Sequence, residues 1–360
     1  MIRWSSELAR LIGVYGDEGS VALPPRRFTF LICCVGLDHL SPTSDTIREK
    51  VATDYDHRSA DDGRFASGLA MAIVGTFLFA SKSIVAKLVY ELGLNATGLL
   101  TLRMVFSFPV YLLVWIRLRR RTLANGSAKP IPRQLLFRAG LLGFFGYYLA
   151  AYLDLLGLEY ISAQMERLTL FSYPAIIAVL AWMFLGEDLG WKIALSVVLC
   201  YAGVWLMFSQ ERRYADDADT ITGIGLVLGA AVSYSIYVLF AKPIMQVMGS
   251  REFTSLAMMG STVFVSIQCM ATGALADVLQ ANPWVFVYGA GLAILCTVVP
   301  SFLINEAIVR IGATRTSVIG SAGPVLTMLL AILLLNEPST PYHFLGMFIA
   351  IVGVAIVARR

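Results

Sequence analysis

The 360-residue chain is 58% hydrophobic and only 14% charged, where an ordinary soluble domain carries about 25% charged residues. Its apolar residues fall in runs of about 20, the length that crosses a bilayer, so the sequence reads as an all-α polytopic membrane protein. The formal net charge of +4 comes from cations at the ends of those runs, a pattern of membrane topology that sets nucleic-acid binding aside.

Residues 1–65 have scattered charges and an SPTSD segment and are expected to form a flexible N-terminal tail. The patch PRRFTFLICCVGLDHL places two arginines before an apolar stretch but has no small-residue cleavage site, so a membrane-surface tail or an upstream extension is favoured over an export signal. Cys33 and Cys34 are adjacent, while Cys200, Cys269 and Cys296 fall in apolar runs, which gives no disulfide framework. With only His39, His57 and His343, no metal site and no cofactor are expected.

Ten spans follow, at 67–90, 97–116, 135–158, 162–185, 191–209, 222–243, 253–275, 284–306, 315–335 and 342–358. With a cytoplasmic N-terminus, the inner loops and C-terminus hold fourteen Lys and Arg, and the outer loops only Arg212 and Arg213. That asymmetry places both termini in the cytoplasm, with a bacterial plasma (inner) membrane as the expected location.

The chain also repeats itself. Shifting 161–207 by 150 positions pairs Pro174 with Pro324, Glu187 with Glu337 and Gly203 with Gly353. Segment 67–87 lies over 222–242 at an offset of 155, pairing Gly68 with Gly223 and Lys87 with Lys242. The reading is a first repeat at 66–209, an outer linker at 210–221 and a second repeat at 222–358. Each repeat holds five spans, an odd number, so the second enters the membrane inverted, the architecture of secondary transporters. Five-span halves, a Pro in the fourth span of each, a Gly-Glu closing that span and small-residue-rich first spans resemble the EamA-type transporters of the drug/metabolite transporter superfamily. One departure is Asn336-Glu337 in place of a second Gly-Glu.

Ionisable residues inside spans cost roughly 2.5–3.5 kcal/mol each on insertion scales and mark functional sites. Counting about 1.5 Å of rise per residue from the outer turns puts Lys82, Arg103, Asp154, Glu166 and Arg167 in one layer, roughly 9 Å below the outer boundary. Three cations against two carboxylates favour an anionic or zwitterionic small-molecule substrate, with Lys82 and Arg103 as candidates to hold its negative group. Glu166 is the first candidate carrier of a coupling proton and Asp154 the second. Arg167, on the next helical residue, points about 100° from Glu166. The alternative is a set of interhelical ion pairs that only fix packing.

The second half offers neutral pore-lining candidates, Tyr234, Tyr237, Asn305, Ser317 and Ser321, with Glu306 beside them. Pro174 and Pro324 each remove a backbone donor and are candidate hinges. No G-x-x-x-x-G-K-[ST] run occurs, which argues against direct use of ATP. The expected function is a secondary transporter moving a small organic metabolite by alternating access, not an enzyme. The alternatives are a polytopic enzyme acting on a lipid-soluble substrate and a non-transporting sensor or scaffold.

Overall fold

The chain divides into two units, Met1–Arg64 and Phe65–Arg360. The computed structural model describes residues 65–124, 132–185, 191–211, 217–311, 316, 319–320 and 322–358. The expected tail, apart from Phe65, therefore lies outside the described residues. So do Cys33, Cys34, Glu187, Arg212, Arg213, Ser317, Ser321 and the Asn305 side chain.

The described residues are helical and contain no strand. The helices are α1 (Phe65–Glu91), α2 (Ala96–Ala124), α3 (Arg133–Tyr160), α4 (Ala163–Phe184), α5 (Trp191–Glu211), α6 (Asp217–Met248) and α7 (Ser250–Thr272). A helix α8 follows, running from Trp284–Ala293 into Val299–Ile311, then α9 (Gly323–Leu334) and α10 (Pro341–Ala358). Among the described residues, seven helices are long and apolar enough to cross a membrane. Three apolar segments, Ala194–Ser209, Gly323–Leu334 and Pro341–Gly353, are shorter. Large side chains such as Trp205, Val198, Met270, Leu333 and Phe348 are exposed on the outside of the bundle, as expected where the solvent is lipid.

Helix ends follow local chemistry. Ser162 caps α4 by accepting a hydrogen bond from the Met165 amide at 3.2 Å. Gly249 (φ 86°) turns α6 directly into α7, a left-handed conformation that glycine adopts without steric cost. Helix α2 runs past the expected 116 to Ala124 because RLRRRTLA consists mostly of good helix formers. A seven-residue helix, Ala274–Gln280, follows Gly273 where a loop was expected.

Three helices depart from regular geometry near the middle. The α3 helix contains a π-helical turn at Phe144–Leu149 and α8 one at Ile294–Val298, starting 150 positions apart. Helix α4 breaks at Phe171–Ser172, so Pro174 opens its second segment, Tyr173–Leu185, at a position where no N–H is required. Pro324 likewise sits in the first turn of α9. Both prolines thus begin helices, which replaces the expected kink in a continuous helix with a break.

Glycines set the closest crossings. A Cβ on Gly203 would stand 2.5 Å from the Gly346 carbonyl oxygen, and one on Gly353 would stand 3.0 Å from the Ser196 carbonyl oxygen, so α5 and α10 cross with their backbones nearly touching. A Cβ on Gly68 would lie 2.6 Å from the Ile311 side chain, and one on Gly223 would lie 2.6 Å from that of Ile161. These contacts come in reciprocal pairs: Gly203 and Gly353, Ser196 and Gly346, and Ile161 and Ile311 are each 150 positions apart.

Candidate functional site

The bend in α1 begins the site. Ser81 Oγ donates back to the Phe77 carbonyl at 3.0 Å, a local bond that competes with regular helix geometry. The next two residues, Lys82 and Ser83, are buried. Lys82 Nζ binds Asp154 Oδ2 of α3 and reaches Glu166 Oε1 of α4 at 3.4 Å. Ser83 Oγ donates to Glu166 Oε2 at 2.6 Å. One ammonium thus joins two carboxylates inside a three-helix contact, and both oxygens of Glu166, which is 0% exposed, are engaged.

Arg167 is placed differently. Its Nη2 donates to the Phe79 carbonyl at 3.0 Å and to Ser83 Oγ at 3.2 Å, and its guanidinium lies 5.3 Å from the Phe79 ring centroid. Glu166 and Arg167 were expected to face different ways, yet both reach the Ser83 hydroxyl, because long side chains offset the 100° between adjacent helical residues. Arg103 of α2 is buried at 8% exposure, and its Nε has no hydrogen-bond partner. Its charge is within electrostatic reach of Asp154, Tyr111, Tyr147 and Cys296. Asp154 Oδ1 also lacks a partner. Of the five residues expected to share a layer, Lys82, Asp154, Glu166 and Arg167 therefore form one connected cluster from α1, α3 and α4, with Arg103 of α2 within electrostatic reach of Asp154.

Below this layer the interior is lined by phenols. Tyr147, in the π-turn of α3, hydrogen-bonds Tyr237 of α6 between hydroxyls at 2.9 Å. Tyr237 packs against Tyr234, which meets Tyr173 edge-on. Tyr111 of α2 contacts Ser301 Oγ of α8 at 3.2 Å. Both π-turns leave carbonyls that hydroxyls occupy: Ser233 donates to the Phe145 oxygen at 2.7 Å, and Thr297 to the Leu292 oxygen at 3.0 Å. Ser235 reaches the Tyr173 carbonyl, beside the α4 break, at 3.2 Å. Of the pore-lining candidates, Tyr234 and Tyr237 therefore join a single aromatic cluster.

Polar contacts also lie at both ends of the bundle. At the end holding the α4 N-terminus, Glu337 accepts from the amides of Ala163 at 2.7 Å and Gln164 at 3.3 Å. Its carboxylate complements the positive end of that helix. Asn336 before it has φ 52°, the left-handed conformation that Gly or Asn best tolerates, which explains how Asn-Glu stands in for Gly-Glu. At the opposite end, Arg119 of α2 pairs with Glu252 of α7 at 3.6 Å. Glu306 of α8 pairs with Arg251 at 2.7 Å and Arg310 at 3.1 Å, and Arg310 donates to Ser67 of α1 at 2.8 Å. Glu306, expected beside the pore, thus belongs to this end network.

The sequence of the EamA-like transporter family matches this chain twice, over residues 66–209 and 221–359. The uncharacterized transporter YcbK of Bacillus subtilis is 28% identical over 275 residues, covering 76% of this chain and 86% of that protein. An uncharacterized transporter of Synechocystis sp. is 25% identical over 313 residues, covering 81% and 92%. One solved crystal structure aligns with a TM-score of 0.53 at 14% identity, covering 81% of this chain and 96% of that one. At that identity the likeness concerns the fold alone.

Proposed function

Because the chain belongs to the EamA-like transporter family, which makes it a membrane transporter rather than an enzyme, we propose that it moves a small organic metabolite by alternating access, with a proton as coupling ion. The observation that carries this reading is the buried charged layer. Lys82, Arg103, Asp154, Glu166 and Arg167 are all under 9% exposed and come from four helices. Their combined cost in a bilayer is justified by a site that substrate or proton must visit.

Two five-helix repeats in opposite orientation account for the reciprocal contacts. If residues 66–209 and 222–358 are inverted copies, Gly68 against Ile311 is the counterpart of Gly223 against Ile161. The two π-turns are counterparts as well. In this reading, the Glu337 contacts close the outer end and the Arg119–Glu252 and Arg251–Glu306–Arg310 pairs close the inner end. Glu337 with the Ala163 and Gln164 amides, Arg119 with Glu252 and Arg310 with Ser67 join one repeat to the other, and the contacts at each end must break when that side opens. The chain then sits in a bacterial inner membrane with both termini cytoplasmic.

Within the layer, Asp154 is better placed than Glu166 to exchange a proton. Glu166 uses one oxygen on Lys82 and the other on Ser83, whereas Asp154 keeps Oδ1 without a partner. The groups facing Asp154 are Lys82, Glu166, Arg103 and Tyr90.

The test is counterflow exchange in liposomes, with the purified full chain and a panel of labelled metabolites. Saturable exchange above protein-free liposomes for at least one solute is expected. Correctly inserted protein that exchanges none of a broad panel would leave the sensor or scaffold reading in its place.

A further inference from the structure

We infer that Arg103 is the anion receptor of the transport site, holding a carboxylate of an organic acid between the π-turns of α3 and α8. This rests on the transporter reading above and narrows its substrate class. The three buried cations of the layer are not equivalent. Lys82 is bound to two carboxylates, and Arg167 is held by a backbone carbonyl, a serine hydroxyl and an aromatic ring. Arg103 is buried like these, yet its side chain makes no hydrogen bond or ion pair among the described residues, and its Nε has no partner. An arginine stays protonated in proteins and presents a planar fork of donors. Unpaired in a bundle interior, it is costly, and a bound oxyanion supplies the bidentate partner that its geometry matches.

A second, independent observation concerns the surroundings of Arg103. The groups within electrostatic reach of Arg103 include Tyr147 and Cys296. Tyr147 lies in the Phe144–Leu149 turn and Cys296 in the Ile294–Val298 turn. Arg103 therefore stands where two helices at corresponding positions of the chain abandon α-geometry, and such turns recur at functional sites. The Phe145 and Leu292 carbonyls already accept from Ser233 and Thr297, so neither is a partner in waiting for the guanidinium. The Tyr147 and Tyr111 rings supply an apolar wall with hydroxyls already bonded to Tyr237 and Ser301, which suits the hydrocarbon body of an organic acid better than a hydrated inorganic ion.

Calorimetric titration of the full chain in detergent, with benzoate and its neutral isostere benzamide as probes, tests this. Benzoate should bind the unaltered protein at least about tenfold more tightly than benzamide, because only the anion fills the fork. Arg103→Gln should abolish that preference, and Arg103→Lys should weaken it several-fold by keeping charge but losing bidentate geometry. Arg133→Gln, which removes an exposed cation at the start of α3, should leave it unchanged. Equal affinity for benzoate and benzamide in the unaltered protein would overturn the inference even if Arg103→Gln failed to fold. Exchange of neutral or cationic solutes that persists in Arg103→Lys, with no benzoate preference, would overturn it and leave the transporter reading standing. Arg103-dependent benzoate binding without exchange of any solute would keep the receptor and remove transport.

Discussion

Lys82→Met probes the buried layer most severely. In the structure one ammonium serves two carboxylates, Asp154 and Glu166, and the three side chains are 7%, 6% and 0% exposed. Removing it leaves two acids facing each other with no cation bound to either, since Arg167 is held by Phe79 and Ser83. Breaking a buried pair by deleting one partner costs about 3–5 kcal/mol, because the surviving charge loses its compensation. That cost corresponds to a change of roughly 150- to 5,000-fold in the unfolding equilibrium. Neutralising an acid as well should return part of it, so Lys82→Met/Asp154→Asn should be more stable than Lys82→Met alone, with a coupling above about 1 kcal/mol. Unfolding of the purified protein followed by tryptophan fluorescence would measure all four corners of this cycle. A Lys82→Met protein as stable as the unaltered chain, or strictly additive effects, would refute the ion-pair geometry.

Gly203→Leu should sharply reduce the yield of folded protein, because even a Cβ there would stand 2.5 Å from the Gly346 oxygen; size-exclusion profiles of Gly203→Leu and the milder Gly203→Ala would check this. Glu337→Ala should destabilise the protein by about 0.5–2 kcal/mol by leaving the Ala163 and Gln164 amides at the α4 N-terminus without their acceptor, with Glu337→Gln intermediate in a thermal melt. Arg119→Glu should impair exchange and Arg119→Glu/Glu252→Arg should restore it; equal exchange in both variants and the unaltered chain would show that this pair does not close the inner end. A reporter after Arg360 should be cytoplasmic and one near Asp217 external, and finding both on one side would sink the inverted arrangement.

The helical fold was legible because apolar runs of bilayer length carry their own signal, and helix starts expected at 97, 191 and 284 fall at Ala96, Trp191 and Trp284. That Lys82, Asp154 and Glu166 meet was legible from depth, since rise per residue fixes how far each charge lies from its turn. Which charge binds which was not: depth carries no azimuth, so Lys82 and Arg103 looked alike although one holds two acids and the other none. The π-turns at FFGYYL and ILCTV were missed because both runs keep the apolar composition of their helices. The one available clue was their shared position 150 residues apart. The end networks were missed for another reason. Glu252, Glu306 and Glu337 lie near helix termini, where charges are unremarkable in sequence, and only tertiary packing shows which cation or amide each one meets.

Alternating access itself is tested most directly by paired spin-label distances in the full chain within nanodiscs. One pair, at Tyr160 and Leu279, reports the outer end, and the other, at Arg121 and Val247, reports the inner end; all four positions are exposed. Two distance populations are expected for each pair, with reciprocal weights, so that Arg119→Glu lengthens the inner pair while shortening the outer one. A single unchanged distance at both ends, in the unaltered chain and in Arg119→Glu alike, would contradict alternating access.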